Sequence, residues 1–233
     1  MKNIISLLVL ICSVAVIIVS CAKKEESTTA AAAGNVAGTG TTASGSLGAT
    51  GVSGTFYKSW YGEEPSGGCV DNSSAISAYS YPSDTKSFKQ TWIVTGTSTV
   101  TESSVTYSDA TCSTVTSYFN KMYKDYTVGS DLTGLTAGSS PAKPTTASKF
   151  SSVPYKYALM ANTTATIALF LSNYETNVES GIELLVVEEN PTTEYGLGTT
   201  ATVSGSTYLY LDSNISSADN VTDWSSRAST YWQ

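Results

Sequence analysis

No aromatic residue stands before Phe56, and every Phe, Trp and Tyr falls between Phe56 and Trp232. A segment without aromatic surface has little with which to offset the entropy of ordering itself, so the folding unit must lie downstream, from about Gly54. A stretch of about 180 residues is ample for one hydrophobic core and long for two, which predicts a single domain over 54–233. Its texture is Thr, Ser, Val and Tyr with frequent Gly and Asn. Those residues favour pleated strands over helices, so all-β is the expected class.

Alternation and turn residues mark the strands. Gly54 to Tyr61 sets Phe56, Lys58 and Trp60 against Thr55, Tyr57 and Ser59. Ala75 to Tyr81 reads as a second strand before the turn Pro82-Ser83-Asp84. Lys86 to Thr95 and Ser98 to Tyr107 form a hairpin about Gly96-Thr97, with Val100 and Val105 on opposite parity as if a bulge lay between them. From Val115 to Tyr126 the large residues sit at helical spacing, yet β-branched and aromatic residues dominate and Tyr126-Thr127-Val128-Gly129 ends as a strand ends. A strand is expected there, followed by a long loop from Ser130 to Ser152. Val153 to Met160, Thr163 to Leu171 and Ile182 to Glu189 are of strand length; Leu184-Leu185-Val186-Val187 is apolar on both faces, so that strand should be covered on both sides. Thr200 to Leu211 alternates as one further strand. Val221, Trp224, Ala228 and Tyr231 then recur at three- and four-residue steps, which predicts a C-terminal helix capped by Ser216 or Ser217.

The first residues carry an address. Lys2 and Asn3 precede an apolar run from Ile4 to Val19, the pattern of a secretory signal over 1–20. Interrupted by Ser6, Cys12 and Ser13, the run falls short of the roughly 20 apolar residues that span a bilayer comfortably. It ends in Ile18-Val19-Ser20-Cys21, which resembles the lipobox of bacterial lipoproteins. The resemblance implies acylation of Cys21 and a membrane partner reached through that lipid, with the outer membrane as default because Ala22 is not aspartate. Cleavage after Ala22, or retention of the run as an anchor, are the competing readings. Residues 21–53, rich in Ser, Thr, Ala and Gly, then read as a flexible tether; over the stretch from Ser27 to Ser53 its typical reach is roughly 30 Å.

Composition narrows the function. Twelve Lys+Arg against 19 Asp+Glu give a net charge of −7, and Arg227 is the single arginine, so no basic face exists to neutralise a nucleic-acid backbone. Histidine is absent, which removes the commonest general base and transition-metal ligand. Cys12 leaves with the signal and Cys21 takes the lipid; Cys69 and Cys112 remain, and in an oxidising compartment they predict a disulfide. No serine has a histidine to activate it, no Gly-x-Ser-x-Gly elbow or phosphate loop occurs, and the doublets Glu63-Glu64 and Glu188-Glu189 point to opposite faces of any strand. An enzyme is therefore not expected, nor a cofactor. Asp212, Asn214, Ser216, Asn220 and Asp223 fall on positions 1, 3, 5, 9 and 12 of a calcium loop. The glycine of position 6 and the glutamate of position 12 are missing, so a turn and helix cap account for these oxygens more simply.

A meander of eight or nine strands with a final helix, entered through Gly54-Thr55-Phe56 and carrying an early disulfide, resembles the lipocalin-like barrels of the calycin type found among bacterial lipoproteins. Tyr107-Ser108-Asp109-Ala110-Thr111-Cys112 and the later Tyr126-Thr127-Val128-Gly129 are similar to a recurring pattern there. Phe56 stands where the family has tryptophan. The resemblance implies an up-and-down barrel around a small apolar ligand, with Arg227 against Trp60 or Phe56; on the residues alone an exposed helix arginine is the simpler reading. Trp92, Tyr157, Phe170 and Leu209 are the candidate ligand-lining residues. The alternative is a β-sandwich that displays its tyrosines to a protein or glycan partner.

Overall fold

A computed structural model of the chain describes residues 23–30, 38–58, 68–137, 143–174, 177–203, 205–215, 217–224 and 231–232. The strands are β1 (Lys23–Ala30), β2 (Ser46–Leu47), β3 (Val52–Ser53), β4 (Thr55–Tyr57), β5 (Ser87–Val94), β6 (Val100–Tyr107) and β7 (Val115–Thr133). They continue with β8 (Thr146–Ala161), β9 (Ile182–Val187), β10 (Glu194–Val203), β11 (Ser206–Ile215) and β12 (Tyr231–Trp232). Two helices interrupt them, α1 (Ser73–Ala78) and α2 (Thr164–Tyr174). Ten strands make one antiparallel sheet in the order β12-β11-β10-β8-β7-β6-β5-β4, while β9 pairs with β8 and β1. This single sheet wraps into a nearly closed barrel, so the all-β barrel is the architecture and the two facing sheets of a sandwich are not.

The register fixes which side chains turn inward. Phe56 lies opposite Trp92, Trp92 opposite Glu102, Glu102 opposite Lys121 and Lys121 opposite Tyr157. These share the concave face, because Phe56 and Trp92 meet Leu209 of β11 across the open seam of the barrel. The convex face is also covered. Val105, Tyr107, Tyr118, Met122 and Met160 form one outer cluster, and Leu197, Tyr208, Tyr210, Val221 and Trp224 another. A sheet buried on both faces loses simple alternation, which is why β7 carries large residues at both parities and imitates a helical period.

Several expected elements fold otherwise. Ala75 to Tyr81 is not a strand: Asn72 accepts hydrogen bonds from the Ser74 and Ala75 N–H groups at 2.9 and 3.2 Å and starts α1, an N-cap that outweighs the local alternation. Thr163 to Leu171 is α2, with Thr163 Oγ1 accepting from the Thr166 N–H at 3.2 Å. Thr200 to Leu211 is two strands, since the hairpin of β10 and β11 turns there with Gly205 at φ 86°. Val100 and Val105 need no bulge between them; β5 and β6 pair in unbroken register, Val100 belongs to the inner cluster and Val105 to the outer one. The long loop shortens because β7 runs on to Thr133 and β8 begins at Thr146.

Over the described residues 217–224 and 231–232 the expected C-terminal helix is not formed. Residues Ala218–Asn220 form one 3-10 turn, capped by Ser217, and Tyr231–Trp232 adds to β11 as β12. Val221 and Trp224 are buried as their spacing demanded, but they cover the outer face as an irregular strap, held where Trp224 Nε1 donates to the Pro144 carbonyl at 2.8 Å. Arg227 and Trp60 lie outside the described residues.

The stretch read as a tether contributes to the structure before Gly54. β1 pairs with β9 from Lys23↔Val187 to Ala30↔Ile182. Beyond it, Gly38 and Gly40 lie so close to the outer wall that a Cβ would come within 2.4 Å of Tyr118 and 2.9 Å of Met122. Thr39 donates from its N–H to Glu183 Oε2 at 2.8 Å and from its hydroxyl to Oε1, while Tyr118 donates to Oε2 at 2.6 Å. The segment uses the barrel's aromatic surface in place of its own. Cys69 and Cys112 form the expected disulfide, with Cα atoms 5.9 Å apart.

Candidate ligand pocket and the charged layer beneath it

The barrel interior is layered along its axis. At the lower end, α1 sets Ala75 against Phe88 and Val70, with Tyr79 and Tyr81 packed alongside. α2 brings Phe170 onto Tyr157, Leu159 and Leu184. Phe88 and Val94 are the lower and upper inward positions of β5, about 20 Å apart at the usual strand rise. The helices thus close one end, and the other end holds a cavity of about 450 Å³.

Leu47, Val52, Trp92, Phe150, Leu209 and Leu211 supply its apolar wall. Leu47 and Val52 come from the small β2–β3 hairpin, which is tied to the barrel where Ser44 N–H donates to the Val94 carbonyl at 2.9 Å and Gly48 N–H to the Thr97 carbonyl at 3.0 Å. The floor is aromatic. Tyr126 stacks on Phe150 with centroids 5.1 Å apart and planes at 14°, and Trp92 meets Tyr126 edge-on at 6.0 Å. Phe150 reaches this position because β10 carries glycine opposite it: a Cβ on Gly196 would lie 2.7 Å from the ring and 2.0 Å from the Asp212 carbonyl oxygen. The rim is polar, with Thr50, Thr199, Thr200 and Ser148, whose hydroxyl donates to Asp131 Oδ1 at 2.6 Å.

Of the four candidate lining residues, Trp92 and Leu209 meet in this cavity. Tyr157 and Phe170 do not reach it. They pack together at the lower end, 1% and 4% exposed, because α2 occupies the space that a strand over 163–171 would have left open.

Between floor and helices lies a layer of charge. Lys121 Nζ donates to Glu194 Oε1 at 2.6 Å, and Tyr123 Oη donates to Glu102 at 3.3 Å. Burial raises the Glu102 carboxyl above the ordinary carboxylate range, against the pull of Lys121 and Lys58. Burial also lowers the Lys58 ammonium to about 8, with Glu102 opposing. The phenols of Tyr123 and Tyr126 are pushed up by burial first and by Glu102 next. Two cations and two carboxylates balance formally, so the layer acts as an internal ionic plug and carries no net sign. Sequence reading passed over these residues. Their signal was parity: Lys58 alternates with Phe56, Glu102 with Val100, and Lys121 with Phe119 and Tyr123, each an ionisable group at an inward position.

Of the calcium pattern, Asp212, Asn220 and Asp223 have described side chains. Asp212 is buried on β11 opposite Leu197. Asp223 accepts from the Thr136 and Trp224 N–H groups, each at 2.8 Å, and so ties the strap to the loop after β7. Asn220 is exposed in the 3-10 turn; the side chains of Asn214 and Ser216 lie outside the described residues. Among the described residues no three carboxylates or cysteines gather about a point that could hold a metal ion. Of the glutamate doublet, Glu188 is buried and Glu189 exposed.

No protein-family model matches the chain, and no curated protein matches it in sequence.

Proposed function

We propose that this chain is a lipid-anchored envelope protein of lipocalin-like type that holds a small, largely apolar ligand in the upper cavity of its barrel. The observation that carries the reading is the cavity itself: about 450 Å³, walled by Leu47, Val52, Trp92, Leu209 and Leu211, within the size range of small-molecule sites. An interface role for the tyrosines finds less support, since Tyr107, Tyr118, Tyr123, Tyr157, Tyr208 and Tyr210 are all buried. Acylation at Cys21 rests on the lipobox. Two acyl chains or more, at about 0.8 kcal/mol per buried methylene, would hold the barrel on a membrane.

Two measurements test the two parts. Native mass spectrometry of the chain from residue 21, with Cys21→Ser to keep it free of detergent, should show a bound small molecule that denaturation releases. Leu209→Trp, which fills the cavity, should show none; identical spectra would remove the basis for ligand binding. Labelled fatty acid should appear on the wild-type protein and vanish with Cys21→Ser, and label that persists in the variant would overturn the anchor.

A further inference from the structure

The geometry points to a cationic amphiphile, an apolar chain bearing a protonated amine, as the class of ligand that this pocket selects. The inference rests on the reading of the cavity as a ligand site and adds the chemistry of the head group. Among the described residues Asp131 is the one charged residue in the lining, and no lysine accompanies it. Among the described residues one of its carboxylate oxygens is engaged, by the Ser148 hydroxyl at 2.6 Å, so the rim keeps acceptor capacity for an N–H donor. Just inside, Trp92, Tyr126 and Phe150 line the cavity. Aromatic faces attract cations and not anions. The charged layer below the floor is formally balanced, so Asp131 sets the sign that an entering head group meets. The whole chain, at −7, biases encounter the same way. A fatty acid would place its carboxylate beside Asp131, which disfavours it at that contact.

Calorimetric titration of the chain from residue 21 carrying Cys21→Ser tests this with three probes of one chain length: decylammonium, 1-decanol and decanoate, each below its micellar concentration. Decylammonium should bind about tenfold more tightly than decanoate, with decanol between them. Asp131→Asn keeps the acceptor for Ser148 and should bring decylammonium to within about twofold of decanol. Added salt should erode the preference for the amine and leave decanol unchanged. Decanol or decanoate binding as tightly as the amine would overturn the head-group assignment while the pocket stands. If all three bind no better to wild type than to Leu209→Trp, the pocket reading fails and the assignment falls with it.

Discussion

Lys121 Nζ and Glu194 Oε1 stand 2.6 Å apart inside the barrel, their side chains 7% and 11% exposed. Breaking such a pair from one side leaves a buried charge uncompensated, so Lys121→Met should destabilise by about 3–5 kcal/mol. Lys121→Met with Glu194→Leu should recover most of that loss. Urea unfolding of the three proteins measures it, and a double variant no better than the single one would show that the pair does not act as a unit.

Lys58 gives a pH dependence of known sign. The folded ammonium titrates at about 8 and the unfolded one at its ordinary 10.5. Between those values the unfolded chain binds a proton that the folded chain has released, so stability from this group rises with pH. Below about 8 both states are charged and the folded one bears the burial penalty. Wild type should therefore gain on Lys58→Met between pH 7 and pH 9.5 in urea midpoint; a constant difference would contradict the assignment.

Glu188 is 5% exposed, and among the described residues neither carboxylate oxygen has a hydrogen-bond partner. Replacing an unsatisfied buried acid by an apolar side chain of similar length should help, so Glu188→Met is expected to stabilise by about 1–3 kcal/mol. A loss of stability in thermal or urea unfolding would mean that the carboxylate has a role in the folded chain.

Gly196→Ala should destabilise by about 1–3 kcal/mol, because its Cβ meets backbone that cannot rotate away. The same variant should loosen Phe150 and weaken ligand retention in native spectra. Unchanged stability would show that β10 shifts freely.

Removing the disulfide with Cys69→Ser and Cys112→Ser should cost about 2–4 kcal/mol, read as a lower unfolding midpoint under oxidising conditions. A midpoint equal to wild type would show that the bridge adds nothing to the fold.

The class of fold was legible in sequence because inward and outward positions of β5, β6 and β7 keep strand composition even where both faces are covered. The disulfide was legible because Cys69 and Cys112 were the two cysteines left after signal and lipid were assigned. Helices α1 and α2 were not. They are short, and Ala75-Ile76-Ser77-Ala78 and Ile167-Ala168-Leu169 are small or branched residues that alternate as well as they spiral; the deciding groups were single caps, Asn72 and Thr163. Because Thr163 to Leu171 reads as a strand in sequence, Phe170 and Tyr157 read as cavity-facing; in the fold α2 packs them together at the lower end. Trp92 and Leu209 face the cavity because β5 and β11 are long enough for parity to hold. The hairpin wall of Leu47 and Val52 was hidden by a composition that looks like linker and packs on surface supplied by the rest of the chain.

The two helices at the lower end make the barrel a cul-de-sac among the described residues. On the proposed reading, a ligand would enter and leave the upper cavity by one mouth, past the hairpin of Leu47 and Val52.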